Sequence, residues 1–125
     1  NETSFGAWQG FDGDNFEAVV KLDSVRKIHR INTDWLADQN SWIFWPTEVT
    51  YEVSSDSIHW TKTDDIKKPL QNNDTISIWY DESNFTKGIE IKYLRVRATN
   101  IGKCPPWHRG AGYDAWIFID EIEIE

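Results

Sequence analysis

The amino-acid sequence predicts an all-β fold, an antiparallel β-sandwich. Apolar residues alternate with polar ones in short runs that are rich in Val, Ile, Thr and aromatic residues. No segment keeps the 3.6-residue period of an amphipathic helix. Seven or eight such runs, separated by polar turns, are typical of two packed antiparallel sheets.

The predicted strands follow one another at short intervals. They comprise residues 17–22, 25–35, 47–53, 58–62, 75–80, 89–99 and 115–124. The segments between them, among them GFDGDN, SSDS, KKPLQNND and DESNFTKG, are built from turn-forming residues. The connection NIGKCPPWHRGAGYDAW at 100–116 holds two prolines and three glycines and therefore predicts a long loop.

Two strands change phase partway along. In one, Ile89 and Tyr93 share a face but Leu94 begins an apolar series on the other, which predicts a β-bulge near Tyr93. In the last strand, Asp120 is an even-numbered residue, like the apolar residues Trp116, Phe118, Ile122 and Ile124. It is therefore expected on the core face, where a carboxylate needs a partner. Its neighbour Glu121 is expected to point away, unless a second bulge intervenes.

Length and charge restrict the class of protein. At 125 residues the chain is predicted to be one domain, 1–125, excised from a larger protein and monomeric as a fragment. A net charge of −8 without clustered Lys and Arg argues against nucleic acid and against anionic membranes. The same charge is compatible with calcium and with neutral ligands. A single cysteine, Cys104, allows no internal disulfide and no zinc cage.

The sequence does not indicate an enzyme. Asp120 and Glu121, as neighbours on a strand, face opposite sides of the sheet and cannot flank one bond. Cys104 and His108 form only a weak nucleophile-and-base pattern, and a packed thiol is the better interpretation. A glycine-rich phosphate loop, an HExxH motif and a nucleophile elbow are all absent from the sequence.

The eight tryptophans indicate a binding surface, because a domain of this size cannot easily bury so many indoles. Sugar sites need aromatic planes beside Asn, Asp, Arg or His, and the segments 5–15, 33–45 and 100–116 have that composition. We expect Trp45, Trp60, Trp79 and Trp116 in the core. The tryptophans that lie in loop-like contexts, and so are candidates for exposure, are Trp8, Trp35 and Trp107.

Four segments carry a resemblance to a known family. WQGFDGDNFEAVVKL, PTEVTYEVSSDSIHW, YLRVRATNIGKCPPWH and AWIFIDEIEIE resemble the discoidin, or coagulation factor 5/8 type C, family and within it family 32 carbohydrate-binding modules. The segment from 100 to 122 is similar to domains that follow the catalytic barrel of bacterial family 20 β-N-acetylhexosaminidases, called chitobiases. The resemblance implies a galactose-binding-domain-like jelly roll of eight strands with its ligand loops at one end.

The resemblance also implies a function. It implies a noncatalytic module that binds galactose- or N-acetylhexosamine-type sugars and accompanies a glycosidase catalytic domain in the periplasm, on the cell surface or in the medium. When the loops of this sequence are matched to the ligand loops of the family, the resemblance implies that Trp107 and Trp8 stack on the sugar and that Trp35 lies in the same site. The polar partners of the sugar hydroxyls are then His108, Asn100 and Asp34.

A structural calcium ion is a further implication of the resemblance. Glu121 matches the late acidic position of such sites, and the Asp120 carbonyl is a natural companion. The first strand of the family, with its Asp-Gly loop, is expected to precede Asn1.

Two other functions remain open. The domain could brace its parent enzyme without binding sugar, or it could be an adhesion or phospholipid-binding discoidin domain. The second alternative fits a chain of charge −8 poorly.

Overall fold

The structure, a computed structural model, describes residues 3–5, 9–70, 72 and 75–125, with backbone pairing alone for 3–5 and 9–12. The described residues form β-strands and one turn of 3-10 helix at Gln39–Ser41. The strands are β1 (Thr3–Phe5), β2 (Gln9–Asp12), β3 (Phe16–Ala37), β4 (Glu48–Ser54), β5 (Thr61–Lys67), β6 (Ser77–Thr99) and β7 (Trp116–Ile124). Within this part of the chain, no helix has the length and apolar character needed to cross a membrane.

The strands pair antiparallel in the order β1-β7-β3-β6-β4-β5, and β2 also pairs with β7. The long strands β3 and β6 belong to two layers. Their segments 16–21 and 93–98 pair with each other beside β4 and β5, which makes the first layer. Their segments 26–37 and 77–91 pair beside β7, which makes the second layer.

The two layers face each other across one hydrophobic core. Tyr51 of β4, in the first layer, reaches Thr33 and Asp81 of the second layer with its hydroxyl group. The largest fully buried side chains come from both layers and include Trp35, Ile28, Ile31, Leu94 and Ile117. This arrangement confirms the predicted antiparallel β-sandwich.

The segment DESNFTKG, at 81–88, was predicted as a turn and lies inside β6 instead. Its polar residues point inward in part, since Asp81 and Ser83 are buried. Asp81 accepts a hydrogen bond from Tyr51, and Ser83 donates one to the Asp64 carboxylate of β5. The composition of this segment is typical of a turn, but residues on other strands form hydrogen bonds with its buried polar side chains and so allow it to continue as a strand.

The predicted bulge near Tyr93 is confirmed. Lys21 pairs with Tyr93 and Arg26 with Ile91, so that residues 22–25 of β3 lie opposite Lys92 alone. The extra residues belong to β3 rather than to β6. Burial changes parity here, from Ile91 to Leu94, as expected when the register is interrupted.

A second bulge lies in β7. Thr33 pairs with Ile122 and Trp35 with Ile119, so Asp120 and Glu121 together lie opposite Asp34. Asp120 was expected on the core face, and that expectation is wrong. Before the bulge the odd-numbered residues Ile117 and Ile119 face the core, and after it the even-numbered residues Ile122 and Ile124 do, so Asp120 lies on the outer side. Both acidic side chains are half-buried, on the outer side of the second layer.

Candidate binding cleft and acidic cluster

Two loops pack together at one end of the sandwich, residues 38–46 and the predicted loop 100–116. The buried side chains of Phe44, Cys104 and Ala115 form a small second core between them. Backbone hydrogen bonds from Phe44 to Trp116 and from Trp116 to Trp42 join the loops. Cys104 thus packs beneath the loop, as predicted, and burial raises the pKa of its thiol, which disfavours the nucleophilic thiolate.

His108 fastens the two loops to each other. Its Nδ1 accepts a hydrogen bond from the Gly110 amide at 2.9 Å, so the ring proton lies on Nε2, which donates to the Gln39 carbonyl at 2.7 Å. Arg109 donates to the neighbouring Asn40 carbonyl at 2.6 Å. Because both ring nitrogens are engaged, the prediction that His108 contacts sugar hydroxyls is replaced by a role in holding the loop.

Asn100 is also structural. Its side chain is buried, with Nδ2 donating to the Ala115 carbonyl and Oδ1 accepting from the Gly102 amide. Asn100 therefore gives the Gly102 amide an acceptor, and it shares the Ala115 carbonyl with the Gly13 amide. The structure thus places Asn100, which was predicted to contact a ligand, in a buried position with both ends of its side-chain amide bonded to the backbone.

Trp35 belongs to the core, with no exposed surface. Its indole Nε1 donates to Thr33 Oγ1 at 2.8 Å, and its ring meets Phe16 edge to face. The prediction that Trp35 lies in a sugar-binding loop is wrong because β3 continues to Ala37 and its alternation turns Trp35 inward. The other predicted stacking residue of the first half, Trp8, lies outside the described residues.

Trp107 is exposed, as expected of a residue at the tip of the 100–116 loop, with 43% of its surface accessible. Its ring meets Phe44 and His108 edge to face, at centroid distances of 6.3 and 6.2 Å. These contacts fix the indole against the small second core. Trp107 remains a candidate stacking plane.

A cleft of about 410 Å³ opens beside this loop, lined by Trp42, Lys103, Gly112, Tyr113, Asp114 and Trp116. The rings of Trp42 and Tyr113 are stacked with an offset, with centroids 5.7 Å apart and planes at 14°. Tyr113 is 66% exposed. Lys103 forms an ion pair with Asp114 at the same cleft, which therefore combines aromatic planes with a cation and a carboxylate.

Sequence reasoning did not select Tyr113 and expected Trp116 in the core. Of the other tryptophans expected there, Trp45 and Trp79 pack partly buried against the core, whereas Trp60 holds Arg95 over its ring at 4.1 Å. Trp42 and Tyr113 lie about seventy positions apart in the sequence, so no local pattern predicts that their rings stack. The nearest local signal is Gly112, whose φ of +86° turns the chain immediately before Tyr113.

The F5/8 type C domain family model matches residues 1–120. The chain belongs to this family. Two solved structures of Clostridium perfringens are similar to it, both with a TM-score of 0.48. The CBM32-3 domain of a family 31 glycoside hydrolase is 21% identical over 91% of this chain and 71% of its own. CpGH89CBM32-5, solved with GalNAc-β-1,3-galactose, is 10% identical over 96% of this chain and 94% of its own. No curated protein matches.

This F5/8 type C domain carries an acidic cluster away from the cleft. Carboxylate oxygens of Asp34, Glu121 and Glu123 lie within 4.8 Å of one another on the outer side of the second layer. The β7 bulge brings Glu121 beside Asp34, so Asp34 joins the predicted metal position rather than the cleft lining. Burial, with the charges of Glu123 and Asp120, raises the pKa of Asp34. A hydrogen bond with Glu121 raises the pKa of Glu123.

Proposed function

We propose that this domain is a noncatalytic carbohydrate-binding module that holds galactose- or N-acetylhexosamine-type glycan ends in the cleft between Tyr113 and Trp116. The observation that carries the proposal is the exposed ring of Tyr113, stacked on the half-buried Trp42, beside the Lys103–Asp114 ion pair. A pyranose ring has a C–H face that packs on an aromatic plane and hydroxyl groups that hydrogen-bond to charged side chains.

Contacts within the protein already fix the aromatic side chains of the cleft before a ligand binds. Stacking on Trp42 fixes the ring of Tyr113, and the loop beneath is held by His108 and Arg109 through hydrogen bonds to backbone carbonyls. Little side-chain entropy is then lost on binding. With few polar contacts that compete with water, we expect dissociation constants on the order of 0.1–1 mM.

The arrangement of carboxylates supports binding rather than hydrolysis. Glycoside hydrolysis uses two carboxyl groups on either side of the scissile bond. Among the described residues that line the cleft, Asp114 alone carries a carboxylate, and it is paired with Lys103. The acidic cluster of Asp34, Glu121 and Glu123 lies on the sheet instead.

We propose a glycoside hydrolase as the parent protein, of the β-N-acetylhexosaminidase type that the 100–122 segment resembles, secreted or held in the periplasm or at the cell surface. Attachment to a catalytic domain would raise the local concentration of that domain on the glycan, so that millimolar affinity suffices. The family membership and the aromatic cleft support this proposal, and the resemblance supplies the enzyme class.

Tyr113→Ala is expected to weaken binding of the preferred monosaccharide about tenfold or more, because it removes the exposed stacking plane. Tyr113→Phe is the matched control, since it keeps the ring and loses only the hydroxyl group, and it should retain most of the affinity. Isothermal titration calorimetry with galactose, N-acetylgalactosamine and N-acetylglucosamine measures both variants. Equal affinities of Tyr113→Ala and the unaltered chain would contradict the proposed site.

We also propose that the acidic cluster holds a calcium ion. The donor set fits this ion, because calcium prefers several hard carboxylate oxygens and accepts irregular geometry. The cluster holds three half-buried carboxylates within reach of one another. Like charges at this spacing repel, so a bound cation would relieve the cluster.

Asp34→Asn is expected to raise the melting temperature slightly in EDTA at neutral pH and to abolish stabilisation by calcium. Because the folded-state pKa of Asp34 is raised, the favourable contribution of its protonated form is complete below about pH 3.9 and lost as pH rises through the folded pKa. The variant should thus flatten the stability profile in this window, by well under 1 kcal/mol because solvent screens the group. Equal calcium stabilisation of both chains would exclude Asp34 as a ligand.

A further inference from the structure

The outer side of the second layer carries a row of apolar side chains across three neighbouring strands. Phe118 of β7 pairs with Leu36 of β3, and Leu36 pairs with Ile78 of β6. Directly paired residues point to the same face of a sheet. Phe118 and Leu36 are half-buried and Ile78 is 38% exposed, so the row lies at the surface.

This row is continuous with the cleft. Trp116 lines the cleft and lies two residues before Phe118 on the same side of β7, with the two ring centroids 5.9 Å apart. Strands in a sheet lie about 4.8 Å apart. The apolar surface therefore runs from the cleft at Trp116 past Phe118 and a further ~10 Å across the sheet to Ile78.

The next row along the same face combines an exposed ring with carboxylates. Tyr80 is 69% exposed and pairs directly with Asp34. Asp34 in turn lies opposite Asp120 and Glu121. Rings and hydrogen-bond acceptors therefore stand side by side here, as they do in the cleft.

We propose that the surface formed by Trp116, Phe118, Leu36, Ile78 and Tyr80, here called the aromatic track, binds further units of an oligosaccharide whose end occupies the cleft. The inference rests on the proposed function and deepens it, because the ligand becomes a chain of several sugars rather than a terminal unit alone. The C–H faces of successive units would pack on the track. In the calcium-free protein, which the test below uses, their hydroxyl groups would donate to the carboxylates of the Asp34 row.

The carboxylates favour a saccharide over a protein as the occupant. A protein that covered the track would also cover Asp34, Asp120 and Glu121, and it would need cationic side chains placed against all three, because burying unpaired carboxylates is costly. A second copy of this chain would bring the same acidic groups against them, in molecules that each carry a net charge of −8. A neutral oligosaccharide adds no charge and supplies hydroxyl donors.

The test compares ligands of increasing length by calorimetry in EDTA, from the monosaccharide to about six units, in β-linked N-acetylglucosamine and galactose series. Affinity should rise about tenfold between one unit and the length that spans the track. A longer oligosaccharide offers more units that can occupy the cleft, and this alone raises the apparent affinity. Variants of the track are therefore needed to separate this effect from binding along the track. Tyr80→Ala and Ile78→Ala should remove most of the gain with length, whereas Ile58→Ala, which truncates an exposed side chain in the β4–β5 turn, should not.

Each outcome has a distinct meaning. Binding of the monosaccharide without a variant-sensitive gain with length would overturn the aromatic track and leave the cleft intact. Absence of binding to every member of both series and to N-acetylgalactosamine would overturn the proposed function itself. Light scattering of the same samples checks the alternative occupant: a dimer that Tyr80→Ala dissociates would show that a second copy covers the track, and would overturn the inference.

Discussion

Tyr51→Phe is expected to lower the free energy of unfolding by about 2–4 kcal/mol at neutral pH, although it removes a single oxygen atom. The Tyr51 hydroxyl lies 2.6 Å from Thr33 Oγ1 and donates to Asp81 Oδ2 at 2.7 Å, in the core between the two layers. Without it, a buried carboxylate loses its donor. The cost of leaving such a group unsatisfied exceeds the value of an ordinary hydrogen bond.

The direction of the hydrogen bonds explains the size of the effect. The Trp35 indole can only donate, to Thr33, and the Asp81 carboxylate only accepts. The two hydroxyl groups between them must therefore each donate toward Asp81, from Thr33 to Tyr51 and from Tyr51 to Asp81. Hydrogen bonds arranged in one direction strengthen one another, so breaking the chain in the middle weakens the rest.

The pH dependence gives this prediction a second measurement. Burial raises the pKa of Asp81, and the hydrogen bond from Tyr51 opposes the rise. A raised folded-state pKa gives stability that is complete below about pH 3.9 and lost as pH rises through the folded value. Tyr51→Phe raises that value further, so its cost should be full at pH 7 and diminish toward pH 4.

Urea unfolding at several pH values measures both effects. Asp81→Asn is the matched control, because the amide oxygen still accepts from Tyr51 while the charge is gone. It should cost far less than Tyr51→Phe at pH 7. A destabilisation by Tyr51→Phe that is below about 1 kcal/mol, or that is independent of pH, would contradict the proposed chain.

His108→Ala is expected to lower the free energy of unfolding by about 2.5–3.5 kcal/mol and to weaken sugar binding at least tenfold. The imidazole joins Gln39 and Gly110 through two hydrogen bonds and packs edge to face on Phe44, with centroids 5.2 Å apart. Two such bonds contribute about 1 kcal/mol each, and the ring contact adds about 0.5–1.5 kcal/mol. Without them the loop that carries Tyr113 is no longer fixed.

Thermal unfolding and limited proteolysis of the free protein test this prediction. Cleavage within residues 100–116 should accelerate without any sugar present, which a residue that only contacts ligand would not cause. His59→Ala is the control, because His59 is exposed and its surface contact with Asp56 contributes little. If His108→Ala lost sugar affinity while its stability and its proteolysis rate stayed unchanged, the prediction would be contradicted, and His108 would instead contact the sugar directly.

The sequence patterns that succeeded are local. Alternation along strands predicted the sandwich, and the parity change at Tyr93 predicted a register break, which lies largely in β3. Burial of Cys104 beneath the proline-containing loop was predicted as well. In each case the deciding information lies within a few residues, where side-chain period and backbone restriction act directly.

The errors arise where a distant partner decides a residue's role. In the sequence His108 resembles an exposed polar loop residue, but the Gln39 carbonyl, 69 positions away, accepts a hydrogen bond from its ring. The polar segment 81–88 resembles a turn until Tyr51 and Asp64 pair with it. Such partners are chosen by the packing of two layers, and no pattern within one strand encodes them.

The central claim is that the aromatic cleft beside the 100–116 loop binds sugar, and a proton–nitrogen NMR titration of the indole N–H groups tests it most directly. Galactose, N-acetylgalactosamine and N-acetylglucosamine are added separately. The account predicts saturable shifts, with at least one sugar, at Trp42 and Trp116, which line the cleft, and none at buried Trp35. Constant indole peaks with all three sugars at tens of millimolar, roughly the weakest useful affinity, would contradict it.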